Sequence, residues 1–170
     1  MRTTTQRWAL LGVAMGFLVA MGLVAPANAA GTTQISWSGY YHVTECGAPP
    51  TGFADFTPLV LHGSLEGCLY TDVLSFKFHE APSGIYIERG RELIVASLNG
   101  GLPGTFMTTY QFESKWAPDA ATGVEVKGRC QHPIVEGSGT GGLAGAEGRL
   151  DFKDEVSTGL FFYRGHITLG

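Results

Sequence analysis

Charge is scarce in this chain. Asp, Glu, Lys and Arg together make up 15% of its 170 residues. The 11 Lys and Arg form no basic run, and 15 Asp and Glu leave a net charge of −4. That balance argues against nucleic acid and anionic membrane as partners, because both are recognised by clustered cations. Cysteine is scarce too: Cys46, Cys68 and Cys130 are the three, with no C-x-x-C pair, so neither a redox motif nor a zinc knuckle is expected. Five histidines (His42, His62, His79, His132 and His166) lack metal-ligand spacing. They read as surface or turn residues, His132 preceding a proline at a strand edge, and no metal is expected. There is no G-x-S-x-G elbow, and the longest glycine-rich stretch lacks the Lys-Ser/Thr of a phosphate loop. A serine-hydrolase elbow and nucleotide binding are therefore rejected, and no cofactor is expected.

The one long apolar run is N-terminal. Arg2 and Arg7 precede an apolar stretch over 8–24, and Ala27-Asn28-Ala29 supplies a small-x-small cleavage pattern. Residues 1–29 read as a signal peptide cut before Ala30, which implies export through the general secretory pathway and no stable membrane insertion afterwards. Residues 30–170 then form one domain of typical size, about 140 residues with one core.

Within that domain the period is two, and helical periodicity of useful length is missing. Residues 34–44 alternate, with Ile35, Trp37, Tyr41 and Val43 on one face. Over 67–80 the shared face is Tyr70, Leu74, Phe76 and Phe78; over 105–116 it is Phe106, Tyr110, Phe112 and Trp116. Over 124–131, Val124, Val126 and Cys130 oppose Glu125, Lys127 and Arg129. Residues 149–156 and 160–169 complete the set, Phe161, Tyr163, Ile167 and Leu169 pointing inward and Arg164 and His166 outward. Residues 85–98 read as one long strand kinked at Gly90. Turn signals fall at 81–84, 99–104 and 118–123, and 46–58 reads as a long loop over one mouth of the fold. Strands every 10–15 residues with such turns are the signature of an all-β sandwich or barrel.

Between the strand-like runs at 131–136 and 149–156 lies Gly137-Ser138-Gly139-Thr140-Gly141-Gly142-Leu143-Ala144-Gly145-Ala146-Glu147-Gly148. Its glycines suit a sharp turn from one strand to the next. From Gly139 to Leu150 it resembles the G-G-(T/A)-G-x-F-x-x-A-x-G stretch of the allene oxide cyclase and dirigent proteins. The longer stretch 128–166 resembles secreted bacterial proteins with the same barrel, and the likeness extends over roughly 63–169. The resemblance implies a single antiparallel up-and-down β-barrel of about eight strands. It also implies self-association into dimers or trimers. Periodicity alone does not choose between barrel and sandwich.

A small barrel is either filled or holds one small ligand. Tyr41, Tyr70, Phe76, Phe106, Tyr110 and Phe112 are the expected walls of a site for a small apolar or aromatic molecule. Glu66, Asp72 and Glu92, with Tyr110, are the polar groups on the apolar parity, and a carboxylate in such a cavity is suited to acid–base work. A bulge at Gly67 or Gly90 would turn those carboxylates outward instead. The enzymatic alternative, implied by the resemblance, is a cavity that steers a reactive intermediate through ring closure or coupling. A second alternative is a solid-cored barrel acting through its surface. The expected disulfide is Cys68–Cys130, both on apolar parity, with Cys46–Cys68 as its rival.

Overall fold

The computed structural model describes residues 31–41, 45–79 and 83–170, at 36–38, 40 and 41 by backbone alone. The expected signal peptide over 1–29 lies outside the described residues. Among those described, no helix forms and nine strands do: β1 (Thr32–Tyr41), β2 (Leu59–Leu61), β3 (Leu65–His79), β4 (Ile85–Leu98), β5 (Pro103–Ala117), β6 (Val124–Pro133), β7 (Thr140–Gly141), β8 (Glu147–Glu155) and β9 (Leu160–Thr168). Every pairing is antiparallel. β1 pairs with β2 and with β9, β2 with β3, β3 with β4, β4 with β5, β5 with β6, β6 with β8, and β8 with β9. The eight main strands therefore close on themselves as an up-and-down barrel, with β7 an annex on β5.

Directly opposed residues share a face, so register alone traces a ring around the interior. Phe76, Glu88, Phe112, Cys130, Phe152 and Tyr163 follow one another across six strands. The expected alternation holds on β5 and β9, where Phe106, Tyr110, Phe161, Tyr163 and Ile167 are all buried. It breaks at two places, and both breaks are bulges.

On β3, Val73 faces Gly90 and Ser75 faces Arg89, leaving Leu74 as an extra residue. Below it Leu65, Leu69 and Thr71 point in; above it Phe76 and Phe78 take over. On β6, Lys127 faces Lys115 but Glu125 faces Trp116, so Val126 is extra. Val124 and Val126, expected inside, are 71% and 53% exposed, and Glu125 is turned inward in their place. A bulge costs one ladder position and switches every side chain beyond it to the other face. The bulges sit at Leu74 and Val126. Gly90 pairs in register with Val73 and Tyr110, so β4 runs unbroken.

The two ends of the barrel differ. The end holding the 62–64 and 99–102 turns is packed solid by Leu61, Leu65, Leu69, Ile94, Phe106, Leu150 and Ile167, all at 0% exposure. The glycine-rich segment closes it. Rather than making a sharp turn, that segment lays Thr140 and Gly141 along Gly104 and Thr105 of β5 and inserts Leu143 and Ala146 into the core. A Cβ on Gly104 would stand 2.2 Å from the Thr140 carbonyl oxygen and 2.6 Å from the Leu143 nitrogen. Only glycine permits that approach. Tyr163 ties down the neighbouring hairpin, its hydroxyl donating to the His62 carbonyl at 2.6 Å and accepting from the Leu65 N–H at 3.2 Å.

At the other end β3 outruns its partner β2. The 45–58 loop covers part of that edge: the Asp55 N–H donates to the Thr71 carbonyl at 3.2 Å, and the Val73 N–H donates to Asp55 Oδ2 at 2.7 Å. Those contacts satisfy edge groups that no strand reaches. A Cys46–Cys68 disulfide anchors the loop. The expected Cys68–Cys130 bridge is thereby corrected: Cys68 points out beneath the loop, Cys130 points in as a free thiol, and the barrel wall separates them.

Candidate functional site

Above the solid core the barrel is hollow. A cavity of about 520 Å³ opens at the end carrying the 118–123 connection. Its walls are Leu59, Phe78, Tyr86, Phe112, Trp116, Phe152 and Phe161, with Phe56 of the 45–58 loop. Thr71, Glu88, Glu92, Tyr110, Glu125, Cys130, His132 and Asp154 are the polar groups among them.

β4 supplies the first two carboxylates. Glu88 accepts the Tyr110 hydroxyl at 2.7 Å and, in a very short hydrogen bond, the Tyr86 hydroxyl. Burial, and then the Glu88 charge, push both phenols well above the ordinary tyrosine value. They remain O–H donors across the working pH range. Glu92, one turn of the pleat pair away, accepts the Thr108 hydroxyl at 3.2 Å. It also lies 3.0 Å from His132 Nε2, in a contact where both side chains are almost fully buried. A carboxylate only accepts, so Nε2 is the donor in that contact. His132 Nδ1 is left buried with no hydrogen-bond partner. The ring itself is held between Phe152, at 4.3 Å between centroids, and Tyr110, at 6.0 Å.

The second carboxyl pair comes from β6 and β8. Glu125, turned in by the Val126 bulge, meets Asp154 across the space above Gly128. A Cβ at Gly128 would stand 2.3 Å from an oxygen of each and 2.8 Å from the Phe112 ring. Glu125 Oε1 is buried with no donor from the rest of the protein, and two carboxylates can hydrogen-bond only by sharing a proton. Burial, then the Asp154 charge, push the Glu125 carboxyl up to about 7; burial raises Asp154 as well. Burial and the nearby Glu92 charge likewise raise the Cys130 thiol, so it is a neutral, poorly nucleophilic SH.

The expected site residues separate cleanly against this geometry. Glu92, Tyr110 and Phe112 line the cavity. Phe106 is buried in the core beneath it, and Phe76 keeps inward parity but is 62% exposed where β3 has lost its neighbour. Tyr70 belongs to the outer face. The Leu74 bulge divides it from Phe76, and its hydroxyl donates to the Cys46 carbonyl at 2.5 Å beneath the loop. Asp72 is also outside, opposite Arg91 and 2.6 Å from its Nε, with that guanidinium over the Phe53 ring. Glu66 is exposed in the 62–66 hairpin, where the Gly63 N–H and then His62 hold its carboxyl below the ordinary value. Neither Asp72 nor Glu66 reaches the interior. The Tyr41 side chain lies outside the described residues.

Glu88, Glu125, Asp154 and His132 were not among the expected site residues. His132, read as a turn or edge residue, is 1% exposed. Its even spacing from Cys130 was the available signal; β6 runs on to Pro133, two residues past the expected 124–131. Among the described residues, no group of three or more His, Cys, Asp or Glu is arranged to hold a metal. No protein-family model, no curated protein and no solved structure matches this chain significantly.

Proposed function

We propose that this chain is an exported barrel that binds one small, largely apolar or aromatic molecule in the hollow above its core. The observation that carries this reading is the cavity itself. Its volume of about 520 Å³ falls within the roughly 300–1,000 Å³ of small-molecule sites, and aromatic walls with a few convergent polar groups are their usual composition. The lower half of the barrel is filled, so one site per chain is the expected stoichiometry. A disulfide between Cys46 and Cys68 is compatible with an oxidising compartment.

The test is fluorescence titration with 1-anilinonaphthalene, a neutral apolar probe. The reading expects saturable one-site enhancement, weakened about tenfold, or 1.4 kcal/mol, by Phe112→Ala, which removes a wall. Non-saturable enhancement, or equal affinity in the variant, contradicts it.

A second reading is favoured by Glu125. A carboxyl with a pKa near 7 inside an aromatic cavity can give or take a proton at neutral pH. The resemblance to allene oxide cyclase and dirigent proteins suggests a cavity that steers a reactive intermediate. On that reading Glu125→Gln abolishes turnover while probe affinity stays unchanged.

A further inference from the structure

The cavity wall has hydrogen-bonding capacity left over, and it is of one kind. Its main donors are already spent inside the protein. The Tyr86 and Tyr110 hydroxyls go to Glu88, His132 Nε2–H goes to Glu92, and the Trp116 indole N–H goes to Ser114 Oγ at 2.8 Å. Thr71 adds a hydroxyl that serves either way. Apart from the weak S–H donor of Cys130, what remains are acceptors. The Glu125–Asp154 pair lines the cavity and no hydrogen-bond donor of the protein reaches Glu125 Oε1.

Charge points the same way. Four carboxylates face one hollow, and no Lys or Arg is among its described lining residues. An anion entering there would meet like charge at short range. A pure hydrocarbon would drive water from the carboxylates that line the cavity and offer nothing back, which costs roughly 1–3 kcal/mol for each polar group desolvated. A ligand that brings N–H donors and positive charge satisfies both the acceptors and the carboxylates. Phe112 and Trp116 add aromatic rings to the same wall, and such rings attract a cation placed over their faces.

Resting on the ligand-binding reading above, we infer that the molecule this barrel takes is a small protonated amine with an aromatic or aliphatic body. Its ammonium is held by Glu125 and Asp154, and its body lies toward the aromatic mouth. A primary or secondary amine fits better than a quaternary ammonium, because the carboxyl pair accepts N–H groups.

The experiment compares three probes of nearly equal shape by isothermal titration at pH 8: 3-phenylpropylamine, butylbenzene and 3-phenylpropanoate. The inference expects the amine to bind at least about tenfold more tightly than the other two, a difference of 1.4 kcal/mol. That preference should shrink to within threefold in the Glu125→Gln/Asp154→Asn double variant and persist in Glu66→Gln, whose carboxylate is outside. Equal binding of amine and butylbenzene overturns the inference and leaves the apolar-pocket reading standing. Absence of binding by all three, with the circular dichroism of a folded β-protein, overturns both. The wild-type comparison decides the matter even where the double variant fails to fold.

Discussion

Glu125 and Asp154 meet above Gly128 on neighbouring strands, in a hollow also faced by Glu88, Glu92, Cys130, His132, Tyr86 and Tyr110. A carboxyl raised from 4.5 to about 7 on folding means that the folded chain binds more protons than the unfolded chain between those values. Its contribution to stability is therefore present below pH 4.5 and lost as pH rises through 7. Glu125 is only partly buried, so solvent screening reduces the effect to about 1–2 kcal/mol. Glu125→Gln keeps a permanent N–H donor toward Asp154. It should leave stability at pH 5 nearly unchanged and raise it by about 1–2 kcal/mol at pH 8, measured by urea unfolding. Parallel pH profiles for the two proteins would show that the pair shares no proton. At this scale the sequence was half legible. Glu92 and Tyr110 could be placed by alternation because no bulge intervenes on β4 or β5. Asp72 and Tyr70 could not, and neither could Glu125, since each lies beside a single inserted residue that reverses the parity of its strand.

Elements that look alike in sequence do different work here. Residues 46–58 and 137–148 are both rich in small residues. The first covers an edge, pinned by Cys46–Cys68, by Tyr70 and by Arg91 stacked over Phe53. Closing its loop with a disulfide contributes roughly 3 kcal/mol. The second closes the barrel floor through Leu143, which is fully buried, while Leu102 in the turn beside it is 78% exposed. Leu143→Ala should cost about 2–4 kcal/mol in urea unfolding, with Leu102→Ala within about 0.5 kcal/mol of wild type. Equal effects would mean that the glycine-rich segment is a surface turn and not a plug. Its strand-to-strand position was readable from the glycine count. Its inward dive was not, because one leucine among glycines carries no periodicity. The disulfide partner was misread for the same reason as Tyr70: the inserted Leu74 puts Cys68, which shares its spacing with Phe76, on the outer face.

For the whole molecule, closure of eight strands leaves one end filled and the other hollow, and that asymmetry is what allows a ligand site. An all-β chain with strands every 10–15 residues was visible in the spacing of turns; that spacing left barrel and sandwich equally open. The division into floor and cavity was not, since it depends on where long strands outrun short ones and on side chains from separate strands meeting above Gly128. The most direct measurement is the nuclear Overhauser effect between bound butylbenzene or 3-phenylpropylamine and the aromatic protons of the folded protein. The account predicts cross-peaks to Tyr110, Phe112 and Phe152, and none to Phe53 or Tyr70 on the outer face. Cross-peaks confined to Phe53, Tyr70 and the exposed Leu74 would contradict it, placing the ligand outside a barrel whose hollow stays empty.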